Sequence, residues 1–214
     1  MGRYPIFLDM TGRRVVLIGG GRVAFRKAQA LLDSGARLVI IAEHFDKLFE
    51  AIAKLKQVEL VEARYSGEYL TGALMVIAAT NDNLLNERIF NDCRQADILC
   101  NIVDAPSHCD FLVPAVVKRG NLTFAISTEG NCPAYAGHIR KKLEKIFTEE
   151  HGRFLAELEK LRQQIFAIVP DKSERKILLG RLADDESFDY FIEKGPAAWN
   201  NRADQLIKKA PTTC

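Results

Sequence analysis

The stretch "VVLIGGGRVAFRKA", residues 15–28, sets four apolar residues directly before three glycines, and a basic, helix-forming segment directly after them. A short continuous apolar run is the pattern of a strand buried on both faces. Ala24, Ala28, Leu31 and Leu32 then recur at helical spacing until "DSGA", residues 33–36, stops the helix. Between the two, the spacing is Gly19-x-Gly21-x-x-Ala24. In a strand–turn–helix context this is the dinucleotide-binding fingerprint. The first glycine allows a sharp turn. The second lets backbone approach a pyrophosphate with no Cβ in the way, and the small third residue lets the helix pack against the strand. The N–H groups at the helix start, with the positive end of the helix dipole, receive the phosphates.

Working outward, apolar runs and helical patterns alternate. Strands are expected at 37–42, 58–63, 74–79 and 98–103, with helical stretches near 45–56 and over 83–94. Alternation of this kind predicts right-handed βαβ units and a mostly parallel sheet, an α/β fold. After Pro114 the pattern changes. Two apolar runs, 115–119 and 122–127, are joined by Gly120-Asn121, a hairpin signature. Helical patterns follow at 133–147 and 153–169, break at Pro170, and resume at 172–182, 188–193 and 197–208. Three parts are expected: residues 1–113, 114–147 and 148–214.

The formal net charge is +2, from 30 Lys+Arg against 28 Asp+Glu, so bulk charge gives no reason to expect nucleic acid as a partner. No run approaches the roughly 18 apolar residues of a membrane span, and the first residues lack the apolar core of a signal peptide. Five cysteines, Cys93, Cys100, Cys109, Cys132 and Cys214, contain no CxxC pair. That usage predicts reduced thiols in a cytoplasmic setting, with neither a disulfide framework nor a structural metal site.

In open α/β sheets, ligands lie across the carboxyl ends of the strands. The glycine turn, Glu43-His44 and Thr80-Asn81-Asp82 should therefore converge. Glu43, 24 residues past Gly19, stands where an acidic residue accepts ribose hydroxyls. No arginine follows it at once to receive a 2′-phosphate, which favours NAD over NADP. The fifth strand delivers "CNIVDAP", residues 100–106. Asp104 at its exit is a candidate base that takes a proton while hydride leaves for the cofactor.

With those residues in view, the chain resembles the precorrin-2 dehydrogenase and sirohydrochlorin ferrochelatase family, the N-terminal module of siroheme synthases. "GGGRVAFRK", "VIAATND", "CNIVDAP", "FLVPAVVKRGNLTFAIST" and "GNCPAYAGHIRKKLE" carry the resemblance, in the family's order over residues 4–145. It implies an NAD-binding Rossmann domain over 1–113, a dimerisation and substrate segment over 114–147, and a helical C-terminal domain over 148–214. No methyltransferase domain follows in the sequence, so the resemblance implies the standalone module. The implied reaction is NAD-dependent oxidation of precorrin-2, a tetrapyrrole with eight carboxylates, to sirohydrochlorin. In some members Fe²⁺ insertion follows, for which His138 or Asp104 is the candidate residue. The family's essential aspartate falls on Asp104. Its cofactor contacts fall on Gly19, Gly20, Gly21, Arg22, Val23 and Ala24, on Glu43 and His44, and on Thr80 and Asn81. Substrate contacts are expected at Asn101, Lys118, Arg119, Ser127, Thr128, His138 and Arg140, with Lys141 and Lys142 as further basic candidates. A homodimer is expected through the hairpin and the helix after it. Where many members read Ser-Ser-Gly-Gly, this chain reads Ser127-Thr128-Glu129-Gly130. A reading of a different class is a non-catalytic NAD-sensing domain, which needs the glycine turn but has no use for Asp104.

Overall fold

The structure, a computed structural model, describes residues 2–208; Cys214 lies outside them. The chain divides into two compact units, one ending at Val113 and the other beginning at Pro114.

The first unit is built on five strands, β1 (Arg14–Ile18), β2 (Arg37–Ala42), β3 (Val58–Glu62), β4 (Met75–Ala78) and β5 (Leu99–Ile102). All pair in parallel, in the order β3-β2-β1-β4-β5. Alternate residues of β1 feed two cores. Val15 and Leu17 pack with Ala24, Phe25 and Ala28 of α1 (Arg22–Asp33). Val16 and Ile18 pack with Ile89 and Cys93 of α2 (Asn83–Gln95). Burial on both faces is why the strand reads as an uninterrupted apolar run. Each such side chain contributes about 1.5–3 kcal/mol by leaving water. From β1 the chain winds outward through β2 to β3, then crosses to β4 on the far side of β1. The strand order reverses there, and a crevice opens at the carboxyl ends of the central strands.

The helical stretch expected near 45–56 is reduced to a single 3₁₀ turn, Lys47–Ala51. Only Phe49 and Ile52 in that stretch are buried, with Phe45 packed partly exposed against the core, while Leu48 and Leu55 stay about 40% exposed. Without a continuous buried stripe, further turns of helix gain too little from packing to form.

In the second unit, β6 (Ala115–Arg119) and β7 (Leu122–Ile126) form an antiparallel hairpin with Arg119 opposite Leu122. Gly120 adopts φ 55° in the two-residue turn, as glycine does at the first position of a type II′ hairpin. Four helices follow: α3 (Pro133–Ile146), α4 (Glu149–Ile168), α5 (Lys172–Leu182) and α6 (Asp185–Lys208). The last three enclose a core of Phe154, Leu161, Ile165, Leu182, Phe191 and Trp199. The buried Trp199 Nε1–H donates to Ser187 Oγ at 2.7 Å. Segments 188–193 and 197–208, expected apart, belong to α6, which Gly195 interrupts with φ 80° just before Pro196. Among the described residues, no helix is long and apolar enough to cross a membrane.

Candidate cofactor and active site

The strand ends border an open cleft of about 470 Å³. Its walls carry Gly19, Gly20, Gly21, Arg22 and Val23 after β1, Glu43 and His44 after β2, Thr80 and Asn81 after β4, and Asp104 after β5. Ala24 lies fully buried in the core beneath α1. With Ala63 and Tyr65 after β3, five separate stretches of sequence therefore meet at one place.

The three glycines do different things. Gly19 takes φ 127°, and a Cβ there would overlap the Ala79 carbonyl oxygen. A Cβ on Gly20 would overlap the carbonyl oxygen of His44 and lie 2.9 Å from the Ala42 Cβ. The Gly20 carbonyl accepts the Asp46 N–H at 2.8 Å, so the turn is fastened to the loop after β2. Gly21 is the N-cap of α1 at φ −90°, and nothing lies within 4 Å of where its Cβ would be. A side chain there would occupy the cleft. No side chain caps α1, and its first turn holds no acidic residue. By contrast, α2 is capped by Asp82, whose carboxylate accepts the Leu85 N–H at 3.1 Å. The first N–H groups of α1 thus remain available to an anion. An open glycine, an uncapped helix start and a cleft between them fit a pyrophosphate.

At the rim, Glu43 is exposed, with Oε2 3.5 Å from Arg64 Nε. No arginine follows Glu43 at once in the sequence, but β2 and β3 run side by side with Ala42 opposite Glu62, which brings Arg64 to Glu43. His44 Nδ1 lies 3.9 Å from Glu62, and Arg22 Nε 3.8 Å from Asp46. Thr80 is held within its own loop. Its Oγ1 donates to Asn86 Oδ1 at 2.7 Å and accepts the Asp82 N–H at 3.2 Å, while Asn86 Nδ2 donates to the Thr80 carbonyl at 3.2 Å. Asn86, 8% exposed, went unnoticed in the sequence. The available signal was a polar residue in the 86–89–93 stripe that α2 buries.

Asp104 is exposed at the cleft wall with φ 63°, a conformation that Asp and Asn adopt more readily than most residues. Behind it, burial and then the Arg26 guanidinium pull the Lys27 ammonium below its usual value, against the opposing charge of Asp104. Tyr65, also on the cleft wall, donates to Asp92 Oδ2 at 2.8 Å. Burial, then that hydrogen bond, pushes its phenol pKa up.

The expected substrate residues are placed differently. Asn101 is buried, and its Nδ2 donates to the Phe111 carbonyl at 2.8 Å and to Cys109 Sγ at 3.4 Å. It holds the loop after β5 and is absent from the cleft wall. Arg119 has partners within the second unit. Its guanidinium donates to the carbonyls of Phe147 at 2.8 Å, Glu144 at 3.2 Å and Lys118 at 2.9 Å, and pairs with Glu149. Arg140 is engaged by Glu144 one turn along α3. Ser127 Oγ accepts the Glu129 N–H at 3.0 Å, and Thr128 Oγ1 accepts the Cys132 N–H at 3.2 Å. Both hydroxyls build the turn into α3, where Glu129 takes φ 52°. Lys118, His138, Lys141 and Lys142 are exposed, with the His138 ring 6.2 Å from that of Tyr135. Among the described residues, no three His, Cys, Asp or Glu side chains cluster as a metal site.

A family model for NAD(P)-binding domains matches residues 6–115. The chain belongs to that NAD(P)-binding family. It is 35% identical over 195 residues to siroheme synthase 1 of Aeromonas hydrophila, covering 91% of this chain and 42% of that protein. It is 36% identical over 165 residues to the siroheme synthase of Photorhabdus laumondii, covering 77% and 35% respectively. The chain thus spans under half the length of these curated relatives. A solved structure of SirC, a precorrin-2 dehydrogenase, superposes with a TM-score of 0.81 at 25% identity, covering 95% of this chain and all of that one. The NAD(P)-binding unit described above is therefore the unit that carries the glycine turn, Glu43 and Asp104.

Proposed function

We propose that this chain is a precorrin-2 dehydrogenase that uses NAD, yields sirohydrochlorin for siroheme synthesis, and works in the cytoplasm as a homodimer. The observation that carries the proposal is the convergence of Asp104 with an open, uncapped glycine turn in one cleft, in a chain that resembles SirC over 95% of its length. Bound NAD supplies the hydride acceptor. The first-turn N–H groups of α1 hold the pyrophosphate, and Gly21 leaves it room. Glu43 accepts the ribose hydroxyls. The substrate loses a hydride and a proton, two electrons in all. The Asp104 carboxylate takes the proton and returns it to water, which its exposure permits. Lys118, exposed on β6, meets substrate carboxylates. The homodimer is supported by the two-stranded sheet of β6 and β7, whose outer edges have no strand partner among the described residues.

The test is turnover. Mixed anaerobically with precorrin-2 and NAD, the purified chain should generate NADH and sirohydrochlorin in equal amounts. NAD binding with no turnover would reject the enzyme in favour of an NAD-sensing domain.

A further inference from the structure

We infer that Arg64 sets how strongly the cleft discriminates between NAD and NADP. The inference rests on the cofactor site proposed above and goes beyond it. Taken alone, Glu43 marks the site for NAD. A carboxylate accepts hydrogen bonds from a ribose diol and repels a 2′-phosphate. The structure sets a guanidinium 3.5 Å from that carboxylate. Arg64 lies between Ala63 and Tyr65, both on the cleft wall. The Ala63 N–H donates to the Ala42 carbonyl at 3.0 Å, which fixes the exit of β3 beside the exit of β2. Hence Arg64 belongs to the rim by backbone register, whichever way its side chain turns.

Elsewhere at this rim Arg22 Nε lies 3.8 Å from Asp46 and His44 Nδ1 3.9 Å from Glu62, and neither of them pairs with Glu43. The side chains of Arg64 and Glu43 are 87% and 59% exposed, so their pairing is weak and exchangeable. Arg64 therefore has two effects on a 2′-phosphate. It offsets the Glu43 charge that would repel the phosphate. It also offers a planar fork of donors that binds phosphate in two places. With NAD, Glu43 receives the ribose hydroxyls. With NADP, the phosphate takes the place of Glu43 on Arg64.

The readout is the ratio of the Kd for NADP to the Kd for NAD, measured by calorimetric titration of the protein without substrate. Loss of a charge-assisted hydrogen bond to phosphate predicts that Arg64→Gln raises this ratio about tenfold. Arg64→Lys should raise it less, since it keeps the charge and loses the fork. Glu43→Gln should lower it. A ratio within twofold of wild type in Arg64→Gln overturns the inference, as does a fall. Circular dichroism of each variant checks that the fold is kept, as the exposure of both side chains predicts. Gly21→Asp separates this outcome from failure of the site itself. If Gly21→Asp still binds NAD, the cofactor site lies elsewhere. If it loses NAD while Arg64→Gln leaves the ratio unmoved, only the role of Arg64 falls.

Discussion

Gly21→Asp separates binding from folding more sharply than any other change at this site. Gly21 sits at φ −90°, ψ −178°, a conformation open to any residue, with open space around its absent Cβ. It is also the N-cap of a helix that no side chain caps. Aspartate is among the best N-cap residues, better than glycine by a few tenths of a kcal/mol. The fold should therefore keep its stability or gain slightly, with the melting midpoint moving by about 1 °C. The effect on the cofactor is opposite. A carboxylate about 5 Å from one phosphate charge, at an effective dielectric constant of about 20, costs roughly 3 kcal/mol. That corresponds to a loss of NAD affinity of more than about 100-fold, before any steric overlap. Calorimetric titration measures the affinity, and a thermal melt measures the stability. A variant that melts like wild type and binds NAD within threefold of wild type would place the pyrophosphate away from α1. A variant that loses both would show that Gly21 has a structural role the local geometry does not reveal.

Other consequences follow from the same geometry. Gly20→Ala pushes a methyl group into the His44 carbonyl, and overpacking of this kind costs about 1–3 kcal/mol; a melt of this variant should fall by several degrees where Gly21→Asp does not. Asp104→Asn should cut kcat by about 10²–10⁴-fold while NAD affinity holds, because Asn tolerates the φ of 63°; near-normal turnover would leave Asp104 as a turn-former only. Asn86→Ala removes both side-chain hydrogen bonds to Thr80 and should cost about 1–3 kcal/mol, with weaker NAD binding as the Thr80–Asn81 loop loosens. Light scattering at micromolar concentration should give about twice the 24.0 kDa chain mass, and a clean monomer would reject the homodimer.

The α/β fold was legible because each signal behind it is local. A strand buried on both faces is an apolar run, and residues 15–18 read as one. A tight strand-to-helix turn calls for glycine, and three stand together. The mouth of the cleft was legible for the same reason, since parallel strands end on one side of their sheet and carry Glu43, Thr80 and Asp104 there. What local pattern could not decide was how far burial extends and which neighbour each polar group meets. Residues 45–56 have helical spacing, yet only Phe49 and Ile52 are buried, so a single turn forms. Gly20 resembles a spacer in the sequence, and only the fold brings the His44 carbonyl against it. Arg119, Arg140 and Asn101 are chemically suited to a carboxylate-rich substrate, but carbonyls, a glutamate and a loop already engage them. Arg64 lies 21 residues from Glu43 and reaches it because β2 and β3 pair in one particular register. Hydrogen-bond partners across strands depend on that register, which arises from the packing of the whole sheet and from no single stretch of the chain.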